Sequence, residues 1–272
     1  MRRLIFFIVI VVSFASVAHA SDPPLIEQGF RDMYDLNFSM AQQHFSQFEA
    51  QQPANPLGPV SEAAGYLFGE FARLGVLETQ LFVDDNSFED RKKLVPDPAV
   101  KQKIDTALNK ADQLANAALG KDPADATAQF AKVLSLGLRS DYAALIEKRD
   151  LAALSYTKQG RTLAEQLLKE RPTAYDAYLA VGVENYLSGI KPAPVRWFLQ
   201  MGGVQTDKAQ GIHDLTLTAE HGNLLAPFAR VMLAVADLRD KNTGGACTLL
   251  HGLATEFPHN QLYHRELGLH CH

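Results

Sequence analysis

The C-terminal run HRELGLHCH sets His264, His270, Cys271 and His272 close together. Imidazole and thiolate are zinc ligands, so this cluster is the first to weigh. Its last three residues point in divergent directions if they continue a helix, which leaves only a frayed tail as a ligand set. The acidic stretch DDNSFED, residues 84–90, offers carboxylates, yet no glycine follows and no glutamate closes a calcium loop. It reads as a solvated loop. A G-x-S-x-G elbow, an H-E-x-x-H helix and a phosphate-binding P-loop are all absent. Glu184 and Glu220 have no carboxylate partner that can be placed beside them. Glu184, Asn185 and Tyr186 read as helix-end polar residues or as pocket lining. The expectation is a protein with no catalytic residues, no bound metal and no cofactor.

Two cysteines, Cys247 and Cys271, form a candidate disulfide. Each lies the same number of residues from His259, the middle of the expected turn between the last two helices. Antiparallel helices bring such positions level. The alternative is two separate thiols, if helix phase turns them apart.

The stretch PAPVRWFLQMGG, residues 192–203, holds the single tryptophan. Arg196, Trp197, Phe198 and Met201 are residue types favoured as anchors at protein interfaces. A short helix over 194–201 would put Trp197 and Met201 on one side. They are candidate partner contacts; the alternative is that the insertion folds back and plugs a groove or caps a neighbouring core.

What positions these residues is a repeat. Ala41, Phe45, Phe48 and Pro53 share one spacing with Ala111, Ala115, Ala118 and Pro123, with Gly160, Ala164, Leu167 and Pro172, and with Ala246, Leu250, Leu253 and Pro258. The first three of each set lie on one helix face. The small residue admits a neighbouring helix, the larger ones fill the space beyond, and proline ends the run. Gly29 and Gly182 supply the small residue in two of the first helices. Helices are expected near 23–36, 39–51, 59–77, 98–120, 124–138, 148–170, 174–188, 207–221, 225–240, 244–256 and 260–271, with starts at Ser61, Asp97-Pro98 and Asp122-Pro123. Segments 78–97 and 189–206 interrupt them as insertions.

This pattern resembles the tetratricopeptide repeat (TPR) family in the placing of its small, aromatic and proline residues. The copies are divergent and unevenly spaced. The resemblance implies an all-α, right-handed superhelical solenoid of about five helical hairpins plus a C-terminal helix, one domain over 21–272. It further implies a protein-interaction scaffold or adaptor that takes a partner segment, a protein or peptide, in a concave groove. First-helix residues including Asp32, Tyr34 and Tyr178 would line that groove. The alternative is a component of a transport or envelope system that binds a small apolar molecule or lipid. A closed apolar cavity would favour this alternative, and an open groove the scaffold.

The first twenty residues, MRRLIFFIVIVVSFASVAHA, combine two arginines, a short apolar run and a small-x-small end. They read as a cleaved secretory signal, which places the protein in the periplasm or outside the cell, with no integral membrane span after cleavage. The full chain carries 26 basic and 31 acidic residues, and loss of Arg2 and Arg3 makes the balance more acidic. Nucleic acid is excluded as a partner, since it needs a concentrated basic face.

Overall fold

The computed structural model describes residues 24–77, 94–191, 197, 200–201 and 206–271. Within these, the fold is all-helical. Eleven α-helices run in order: α1 Leu25–Tyr34, α2 Phe38–Gln51, α3 Leu57–Leu74, α4 Pro98–Leu119, α5 Ala126–Asp141, α6 Asp150–Glu170, α7 Tyr178–Gly189, α8 Lys208–His221, α9 Ala226–Arg239, α10 Thr243–Glu256 and α11 Gln261–His270. Each packs against the next in sequence, and α3 also contacts α1 and α5. Among the described residues no helix is long and apolar enough to cross a membrane.

The recurring residues produce a recurring local structure. Ala41, Ala111, Gly160 and Ala246 are all buried, so each marks the closest approach of a second helix to its neighbours. Downstream, one hydrogen-bond pattern repeats four times. The N–H groups of Gln52, Asp122, Arg171 and Phe257 donate to the carbonyls of Phe48, Ala118, Leu167 and Leu253. The N–H groups of Asn55, Asp125, Ala174 and Asn260 then donate to the carbonyls of Gln52, Asp122, Arg171 and Phe257. The four prolines sit inside these turns, exposed, where a missing N–H costs nothing. Two hairpins also share their inner turn. Leu36 and Lys241 both take φ 61°, and the next residues, Asn37 and Asn242, accept from Met40 N–H and Gly245 N–H as N-caps.

Local starts differ from expectation at two helices. Asp97 caps α4 with Pro98 at its first position. Ser61, however, is fully buried inside α3; that helix begins at Leu57, whose N–H Asn55 Oδ1 accepts at 3.0 Å. Asp122 stabilises the turn before α5 by accepting from Ala124 N–H, and Asp125 is the cap. In both cases a nearby side-chain oxygen took the orphan donors first. At its other end α5 runs past the expected stop into a π-helical turn, Tyr142–Ile146.

The described chain curls until α1 meets the α8–α9 turn and the α10–α11 turn. Tyr34 Oη donates to Leu224 O at 3.0 Å, and Asn260 Nδ2 donates to Tyr34 O at 2.7 Å. His259 N–H donates to Asp35 Oδ1 at 2.9 Å. Arg31 pairs with Glu256 at 2.8 Å, and Arg230 reaches the same carboxylate at 2.6 Å. The Tyr34 and Phe257 rings lie 5.7 Å apart, Phe68 and Phe228 5.9 Å. One hydrophobic core accordingly includes residues from α1 to α5 and from the α8–α9 turn to α11.

Candidate functional site

Inside this closed curl lies a cavity of about 130 Å³. Its walls come from the first helix of each hairpin: Phe30, Met33 and Tyr34 of α1; Val60, Ala64 and Phe68 of α3; Val133, Leu134 and Leu138 of α5; Leu179, Ala180 and Val183 of α7; and Phe228 of α9. The second helix α6 adds Tyr156, Thr157 and Gly160. The odd-numbered helices line the interior because their larger apolar residues point inward, while the small residues of their partners let the hairpins stack tightly. Gly137 also lines the cavity; it is exposed, and a Cβ built on it would meet no atom within 4 Å. The cavity therefore opens to solvent beside α5.

The polar groups on this apolar wall are few, and most are engaged. Tyr34 gives its hydroxyl proton to Leu224 O, and burial raises the phenol well above its ordinary pKa. Ser140 and Thr157 bond each other at 2.8 Å, and both reach Ala153 O. Asp176 is a clamp: its carboxylate accepts the N–H groups of Asn223, Leu224 and Leu225 at 3.0, 3.1 and 2.9 Å. Burial pushes this carboxyl up, and those three bonds oppose the rise. Asp176 thereby fixes the α8–α9 turn that receives α1.

Asp141 is different. It lines the cavity at the last turn of α5, directly before the π-helical turn. Burial alone, with no neighbouring charge or hydrogen bond to offset it, pushes its carboxyl up to about 7. By surface area the residue is only half-buried. The surface it keeps moderates that rise. π-helical turns are rare and are enriched at functional sites.

Chemically, the arrangement can accept a hydrogen bond or a proton at one carboxylate beside an apolar wall. Among the described residues no histidine, lysine or cysteine lines it. Nor do any three His, Cys, Asp or Glu side chains among them gather where a metal could be held.

Of the residues singled out from the sequence, Tyr34 is on the cavity wall. Asp32 instead pairs with His44 Nδ1 at 2.7 Å, between α1 and α2. Tyr178 stacks on Tyr175 at 6.3 Å, and its neighbour Leu179 holds the inward position. Trp197 and Met201 are exposed and take no part in the cavity lining; Arg196 and Phe198 lie outside the described residues, as do 84–90. Cys247 and Cys271 are joined, with Cα atoms 5.7 Å apart, which pins the end of α11 to α10. Glu184, Asn185 and Asp214 are buried around Arg161, away from the cavity. Arg161 donates to Asn185 Oδ1 at 3.1 Å and to Glu165 at 2.8 Å, and burial raises Glu184 and Asp214. Asp141 and Asp176 went unremarked in the sequence. An acid closing the apolar run AKVLSLGL was the one available sign of the first.

No family model, no curated protein and no solved structure matches this chain.

Proposed function

We propose that this protein binds a small, mainly apolar molecule in the cavity enclosed by its first helices, as a periplasmic or secreted binding component without catalytic activity. The observation that carries the reading is the apolar cavity itself, open to solvent beside α5. A wall built from five different hairpins, with its few polar groups nearly all satisfied, has the character of a ligand site. The closure of α1 onto α9–α11 supports it, because an inner face closed in this way offers little length to an extended peptide. On this reading the fold is a TPR-like solenoid whose concave surface has been shut.

Gly137→Leu is the test. The new side chain would occupy the mouth of the cavity, and leucine favours a helix over glycine by several tenths of a kcal/mol. Wild-type protein from its native source, sprayed under native conditions, is expected to carry a mass above that of the polypeptide, and the variant to carry none. Identical spectra for the two, both free of added mass, contradict the proposal.

A second reading, a scaffold for a protein partner, is favoured by Trp197 and Met201, 64% and 68% exposed. Large apolar side chains left in water are suited to a partner's surface. Capture of one specific protein by wild type and its loss with Trp197→Ala, while Gly137→Leu captures normally, would establish that role separately.

A further inference from the structure

We infer that the molecule bound in this cavity is a small amine, about the size of one aromatic ring, whose protonated nitrogen is received by the Asp141 carboxylate. This rests on the cavity being a binding site, and adds what the site selects.

Size comes first. An apolar protein cavity of roughly 150 Å³ holds one benzene, and this one is about 130 Å³. A single ring or a short branched chain fits, with a small head group at the wall; a lipid acyl chain does not fit inside.

Charge comes second. Three acidic or phenolic groups other than Asp141 line the cavity: Tyr34, Tyr156 and Asp176. Tyr34 donates its proton to the α8–α9 turn, and Asp176 is filled by three backbone donors. No arginine, lysine or histidine faces Asp141 from the described lining. Its carboxylate accepts from none of the donors described, and burial holds it near neutral pKa. An entering apolar ligand with no donor would strip the remaining water from Asp141 and give nothing in return. An anionic ligand would add repulsion. A ligand ammonium would supply the missing donor and the missing counter-charge together, in a charge-assisted hydrogen bond. The lining also includes Phe30, Phe68 and Phe228, which suit a ring carried by the amine.

Benzylamine, benzyl alcohol and benzoate share one ring and differ in the head group. Titrated calorimetrically at pH 8, where both the amine and Asp141 carry charge, wild type is expected to bind benzylamine at least about tenfold tighter than benzyl alcohol. Benzoate should bind weakest. In Asp141→Asn, benzylamine should lose about tenfold or more, while benzyl alcohol stays within about twofold. Gly137→Leu should abolish all three, and the wild-type order tests the inference even where the Asn variant misfolds. Equal binding of benzylamine and benzyl alcohol by wild type overturns the amine inference and leaves the cavity a binding site. Failure of all three probes to bind overturns both.

Discussion

An ionisable group left without a partner inside a protein costs stability whenever it is charged, and Asp141 is such a group. In the unfolded chain its carboxyl titrates near 4; in the folded chain burial holds it to about 7. Between those values the folded state binds more protons, so its contribution to stability falls as pH rises, and the loss is complete above the folded value. Asp141→Asn removes that loss. Because part of the side chain keeps contact with solvent, the expected gain is about 1–3 kcal/mol at pH 8, below the full value of so large a shift. At pH 3.5 the gain should vanish. Thermal melts of both proteins at the two pH values decide it, and a gain independent of pH would contradict this account. Such a cost is the kind a protein carries where function requires it. Periodicity ended this helix near residue 138, short of Asp141. It could not show that five other helices come round to leave that residue without a partner, because such a partner would come from distant sequence.

At the scale of elements, the hairpins depend on glycine where backbones touch. A Cβ on Gly211 of α8 would lie 2.5 Å from Tyr186 N and 2.9 Å from Gly182 O on α7. Those are backbone atoms and cannot step aside. Gly211→Ala is expected to destabilise by about 2–4 kcal/mol, despite the better helix propensity of alanine. On α10, a Cβ at Gly252 meets nothing within 4 Å. There Gly252→Ala should stabilise by about 0.5–1 kcal/mol. Urea denaturation of the pair separates contact from propensity; equal signs would contradict the packing. The disulfide belongs to this scale too. The bridge links residues 24 apart in sequence, and replacing Cys247 and Cys271 with serine should cost about 2–4 kcal/mol, with proteolysis of the oxidised and variant proteins showing α11 released first. The eleven helices and their order were legible because each carries its own period and stops. The groove residues were less so. Tyr178 and Leu179 are adjacent, and only the packing of α7 against α6 and α8 decides which one turns inward. The insertion at 189–206 announced itself by its tryptophan, yet the cavity lining is drawn from plain Leu, Val and Phe positions that sequence cannot tell from ordinary core.

The whole molecule is defined by its closure. α1 is held at the far end of the chain by Tyr34, Asp35 and Arg31, through partners near residues 224, 256 and 260. Burial would raise the Glu256 carboxyl, but Arg230 and Arg31 together bring it below its ordinary range. A carboxylate with a lowered folded pKa contributes stability above its unfolded pKa, and loses it as pH falls through the folded value. Closure should therefore loosen on the acid side. Tyr34→Phe removes a buried hydrogen bond and leaves Leu224 O unpaired, for an expected loss of about 1–2 kcal/mol. Hydrogen exchange should then rise in α1 and in 222–226 together, since both surfaces are freed by one event; a rise confined to α1 would contradict the closure. Nothing in the repeat pattern foretold this meeting. Repeats specify contacts between neighbours, whereas Tyr34 and Leu224 are 190 residues apart in the chain.

The most direct measurement is methionine-methyl NMR during a benzylamine titration. The chain has five methionines, so the spectrum is simple. Met33 lines the cavity, while Met201 and Met232 do not. The Met33 methyl is expected to shift saturably under the ring current of the bound ligand in wild type, to stay fixed in Gly137→Leu, and to leave Met201 and Met232 unmoved in both. A spectrum in which Met33 never responds, or in which Met201 alone does, would contradict a ligand site at the centre of the curl.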